Sequence, residues 1–129
     1  MKLSVFLIIS AIGSFAFGAM MFFMPGFAAQ LLGLDFTQQS GSLLQGMGGL
    51  IIGLSTINLL ARNFTDYNAL RAVLLSNIIT NILGLSVDLL GIFNGTLLTS
   101  KMAPVEFTHI FISLGSLFYL LRLKRTKPA

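Results

Sequence analysis

The chain has 129 residues, of which 55% are hydrophobic and 9% charged, with a formal net charge of +4 and no cysteine. That little polar surface cannot cover a soluble globule, and the lack of thiols removes disulfides, thiolate metal sites and cysteine nucleophiles. The excess positive charge sits at the ends of apolar runs rather than on a polar face, which reads as membrane topology and excludes nucleic acid as a partner.

Four apolar stretches, residues 3–24, 41–61, 69–93 and 105–123, take up nearly the whole chain. A hydrocarbon core about 30 Å thick takes roughly 20 helical residues to cross, so each stretch suits one span. The expectation is an all-α polytopic membrane protein. Its single domain over residues 1–129 would form an antiparallel up-down bundle of four transmembrane helices.

The first stretch follows Lys2, and Met1-Lys2-Leu3 with Ala16, Gly18 and Ala19 also resembles a secretory leader. The apolar run continues through Met20 to Met24, so a retained span is predicted. Pro25-Gly26 ends it, because proline has no N–H to donate and glycine accepts a helix end. Phe27, Leu31 and Leu34 then recur at helical spacing, predicting a short interfacial piece closed by Gly33 and Asp35.

In the second stretch Ser42, Gly46, Gly49, Gly53 and Thr56 fall three or four residues apart on one side. Small residues let backbones touch where lipid offers no hydrophobic drive, so Gly46, Gly49 and Gly53 are expected to pack helices, within the chain or between subunits. Ser10, Ser14 and Gly18 make a weaker stripe on the first helix. Asn63 to Asn68 is a polar turn in which Thr65 or Asp66 can cap the next helix.

The third stretch carries Asn77, Asn81, Gly84, Asp88 and Gly91 at spacings of four, three, four and three, one polar and small face turned from lipid. Asn58, Asn77 and Asn81 are expected to bond across helices, and Gly84 to pack. Asp88 asks for a partner, since a carboxylate in a span costs about 2.5–3.5 kcal/mol on insertion scales. Asn94-Gly95 marks the following turn, and Pro104 suits the first turn of the fourth helix.

On that helix Glu106, His109, Ser113 and Ser116 share a face, with His109 at a depth similar to Asp88. Gln45 lies near the start of the second span. Asp88, His109, Glu106 and Gln45 are therefore predicted to form one polar cluster, a candidate ligand or proton site. Glu106-x-x-His109 alone does not make a metal site. No nucleophile elbow, phosphate loop or dinucleotide fingerprint is present, so no catalytic residue or cofactor is assigned.

Lys2, Arg62, Arg71, Arg122, Lys124, Arg125 and Lys127 fall on one side of a four-span topology, and Lys101 stands alone on the other. This bias predicts cytoplasmic termini and a multi-pass protein of a bacterial inner membrane or its equivalent.

Pro25 followed by Leu32-Gly33, the run Gly46-x-x-Gly49-x-x-x-Gly53, Ala61-Arg62 and Arg71 resemble the DoxX-like small four-helix membrane proteins in layout. Relatives often carry an arginine near the start of the second span, where this chain has Gln45. The resemblance implies at most a membrane accessory role of the kind associated with quinone-linked oxidoreductases. The expected function is a non-catalytic subunit or scaffold, with the lipid bilayer and either itself or other membrane subunits as partners. The alternative is a small transporter or ligand-binding bundle built on the Asp88–His109 cluster.

Overall fold

The computed structural model describes residues 1–123. Lys124, Arg125 and Lys127 of the basic run lie outside the described residues. The chain is built from helices: α1 (Leu3–Phe23), α2 (Pro25–Leu32), α3 (Gln38–Ala61), α4 (Tyr67–Phe93) and α5 (Thr99–Arg122). All but α2 are long and apolar enough to cross a membrane, which makes this a helical, multi-pass membrane chain.

The helix ends follow from local chemistry. Gly33 closes α2 in the left-handed region, at φ 72°, and the Leu34 N–H returns to the Ala29 carbonyl at 2.9 Å. The Asp66 carboxylate accepts the Ala69 N–H at 2.7 Å and starts α4. Three helices begin earlier than their apolar stretches, α4 by two residues and α3 and α5 by more. At α3 the Thr37 hydroxyl accepts the Ser40 N–H at 3.0 Å and the Ser40 hydroxyl accepts the Thr37 N–H at 2.8 Å, a reciprocal cap that draws the polar residues 38–40 into the helix.

At α5 the helix starts at Thr99, so Pro104 stands inside it rather than in its first turn. The helical donor to the Ser100 carbonyl is thereby missing. α2 also differs in how it sits: Ala28, Ala29 and Leu32 are buried, while Phe27 and Leu31 face outward.

α1 packs most closely on α3, and α4 on α5. Backbones meet in the first pair: a Cβ on Gly48 would lie 2.6 Å from the Gly18 carbonyl oxygen and 2.7 Å from the Phe22 nitrogen. The close approach therefore falls to Gly48, on the face of α3 opposite the expected glycine stripe. Gly46 and Gly53 meet nothing within 4 Å, and a Cβ on Gly49 would only touch the Phe22 ring at 3.7 Å.

Two apolar clusters hold the four long helices. One gathers Phe6, Leu7, Ala61, Val73 and Leu74, with Tyr119 and Leu120 against them. The other gathers Met21, Ala28, Ala29, Leu32, Leu44 and Met102. The buried polar residues Ser10, Ser55, Asn58, Asn77, Ser113 and Ser116 come from the stretches of helix between these clusters.

Candidate functional site

The α4–α5 interface is a polar seam with a glycine at its closest point. The His109 ring lies directly over Gly84, where a Cβ would stand 2.7 Å from the ring's Cε1 and 2.9 Å from Nε2. Any side chain at position 84 would displace the imidazole. Asp88 and Asn81 lie one turn to either side of Gly84 on the same face, about 10 Å apart along the axis. A ring whose two nitrogens point apart bridges that gap.

His109 Nδ1 is 2.9 Å from Asn81 Oδ1, and Nε2 is 3.4 Å from Asp88 Oδ2. The network assigns the proton on one side. The Asn81 amide nitrogen donates to the Asn77 carbonyl at 2.8 Å, which leaves the amide oxygen facing His109, so Nδ1 carries the hydrogen. The opposite nitrogen faces Asp88 and can share one further proton with it, as imidazolium beside carboxylate or as imidazole beside carboxylic acid. These two side chains keep 22% and 19% exposure, so the pair is not sealed inside the chain.

From Asn77 the network passes to α3. The Asn58 amide nitrogen donates to Asn77 Oδ1 at 3.0 Å, and the Asn77 amide nitrogen donates to Asn58 Oδ1 at 2.8 Å. Both residues are buried, and the reciprocal pair satisfies one donor and one acceptor on each amide. Hydrogen bonds thus join α5, α4 and α3 along the middle of the chain in two segments that meet at Asn77, one ending on its backbone carbonyl and the other on its side-chain amide.

Glu106 lies one turn from His109 on α5, within electrostatic reach of Asp88. Both of its carboxyl oxygens are shielded from solvent and neither has a hydrogen-bond partner among the described residues. Carboxyl oxygens shielded from water without a donor are costly, and Asp88 adds a like-charged neighbour within electrostatic range. The hydroxyls of Ser10 and Ser116 are likewise buried and unpartnered.

Asp88, His109, Glu106 and Asn81 therefore come together. Gln45 does not join them: its amide donates to the Phe22 carbonyl at 3.2 Å, in the last turn of α1, where carbonyls lack helical donors. Among the described residues no group of three or more histidine and acidic side chains is placed to hold a metal ion. Gly48 and Gly115 are positions that sequence reasoning passed over; a Cβ on Gly115 would run into the Phe6 ring.

Comparison with protein-family models, curated proteins and solved structures finds no match.

Proposed function

We propose that the chain is a small, non-catalytic membrane protein that serves as a subunit or scaffold, associating sideways in the bilayer with itself or with another membrane subunit. The observation that carries this reading is the free glycine face of α3. Among the described residues Gly46 and Gly53 have no neighbour within 4 Å of where a Cβ would stand, and Ser42 and Thr56 on the same side turn their hydroxyls back to the Gln38 and Ile52 carbonyls. Small residues on a lipid-facing helix give poor contact to acyl chains and a close seat for a second helix.

The arrangement we infer is an antiparallel up-down bundle with both termini cytoplasmic, as in a bacterial inner membrane. Seven cations against one support the orientation, and the two apolar clusters, each drawing on alternate helix ends, support the alternation. A place among the DoxX-like proteins belongs to the same proposal.

Native mass spectrometry of gently extracted protein tests the assembly. A double variant, Gly46→Leu with Gly53→Leu, is expected to lose its copies or co-extracted subunit while keeping wild-type helicity and melting. An unchanged particle mass in that variant would overturn the reading.

Glu106 favours a second reading, in which the seam takes up and passes protons. Its carboxyl, without a hydrogen-bond partner among the described residues, lies one turn from the Asp88–His109 pair, so a proton arriving at Glu106 has a second acid–base couple within reach. The check is decay of an imposed pH gradient across proteoliposomes. Wild-type protein should dissipate the gradient, and Glu106→Gln and Asp88→Asn should each hold it. Decay no faster than in protein-free vesicles would make the pair a staple between α4 and α5.

A further inference from the structure

The geometry points to a binding site for one anionic phospholipid, its acyl chain in an aromatic groove between α1 and α5 and its headgroup on Arg122. The groove encloses about 500 Å³ and is lined by Phe6, Phe107, Phe111, Leu114, Phe118 and Tyr119, among others. It exists because of Gly115. The absence of a side chain there lets the Phe6 ring settle against α5, at 5.8 Å from Phe111 and 5.3 Å from Tyr119 between centroids. Phe107 stacks on Phe111 at 6.3 Å between centroids, which extends the aromatic wall along α5.

Length and charge identify the occupant. From Phe107 to Phe118 the groove follows α5 for about 17 Å, which is close to one leaflet of a hydrocarbon core about 30 Å thick. The Phe118 end stands one turn from Arg122, at the end of α5, and the groove runs from there across the middle of the span, near Leu114. At the Phe118 end Arg122 lies over the Phe118 ring, 4.1 Å from its centroid, which fixes a guanidinium at the mouth. Among the described residues Arg122 forms no ion pair.

Tyr119 donates its hydroxyl to the Met1 carbonyl, at 2.6 Å, so the start of α1, with Lys2, is brought to the same mouth. A guanidinium seated on an aromatic ring, with no ion pair among the described residues and Lys2 following Met1 at the same end of the bundle, recognises a phosphate headgroup of net negative charge better than a zwitterionic one. A protein helix suits the groove poorly, since close helix approach needs small residues and this lining is large and aromatic. A flexible acyl chain fits a narrow channel between rings. The site is separate from both the glycine face of α3 and the α4–α5 seam.

The test reconstitutes the full chain in vesicles of equal phosphatidylcholine and phosphatidylglycerol, extracts it gently and counts retained lipids by native mass spectrometry. Wild-type protein is expected to keep one phosphatidylglycerol per chain in preference to phosphatidylcholine. Arg122→Gln should lower that preference about fivefold while a lipid is still retained, as expected for one cation at the surface. Leu114→Trp, which fills the groove from an exposed position, should lose the retained lipid of either kind, with unchanged melting in detergent. Equal retention of the two lipids by wild-type protein would overturn the proposal. So would phosphatidylglycerol retention that survives both substitutions, or a polypeptide in place of the lipid.

Discussion

Gly48→Ala is expected to destabilise the chain by about 2 kcal/mol, and Gly48→Leu to prevent accumulation of folded protein, whereas Gly46→Ala should leave the chain as stable or slightly more so. The atoms a Cβ would strike at position 48 are the Gly18 carbonyl oxygen at 2.6 Å and the Phe22 nitrogen at 2.7 Å, and backbone cannot rotate out of the way. Overpacking typically costs about 1–3 kcal/mol, and a displaced helix costs more. In lipid, α1 and α3 are held mainly by contact, beside the Gln45–Phe22 hydrogen bond, so separating them removes most of what joins them.

Gly18 is the intermediate case. A Cβ there would lie 2.9 Å from the Cγ2 of Ile51, a side chain that can change rotamer, and 3.0 Å from the Gly48 oxygen. Gly46 has open space, and alanine is favoured over glycine in a helix by about 0.5–1 kcal/mol. Unfolding in mixed detergent micelles ranks the variants. The expected order of damage is Gly48, then Gly18, with Gly46 and Gly53 neutral or stabilised; equal damage at all four would mean that α1 and α3 do not meet through this face.

That order also shows where sequence reasoning runs out. The long helices were legible because apolar runs of span length have few other uses, and Gly33, Asp66 and Gly95 mark ends by chemistry that acts within a few residues. Which side of α3 meets α1 is a different kind of question. Gly46, Gly48 and Gly49 crowd into four positions and point in different directions, Gly46 and Gly48 about 160° apart around the axis. A helix apolar all round carries no moment to choose between them.

A usable signal did exist. Gly41, Leu44, Gly48, Ser55 and Asn58 are all buried and fall at spacings of three, four, seven and three, a line that ends on an amide needing a partner across the helices. Asp88 and His109 were placed at similar depth by the antiparallel reading of α4 and α5, and they stand 3.4 Å apart. Gln45 belongs to that depth as well, but its long side chain reaches the unsatisfied end of α1 first. Depth is readable from a sequence; the competing claim of a nearer acceptor is not.

The Asn58–Asn77 pair should behave as a unit: each single leucine variant is expected to cost about 1–3 kcal/mol, and the double variant, Asn58→Leu with Asn77→Leu, less than the sum. Each amide is buried, at 5% and 6% exposure, and each satisfies the other through bonds of 3.0 and 2.8 Å. Removing one leaves an amide in an apolar surround with a lost donor and a lost acceptor, and that desolvation is the larger part of the penalty. Removing both replaces two polar groups by packing, which lipid-side helices tolerate, because the net worth of such bonds is about 1 kcal/mol or less.

The cycle also separates the pair from the seam beyond it. Asn81 donates to the backbone carbonyl of Asn77, not to its side chain, so Asn77→Leu should leave Asn81 oriented and the His109 ring nitrogen signals in an NMR spectrum unmoved. Asn81→Leu removes the acceptor of the Nδ1 hydrogen and should shift those signals while costing less stability, since Asn81 is only partly buried. If the two single variants at 58 and 77 instead add without coupling, the amides do not face each other and the link between α3 and α4 lies elsewhere.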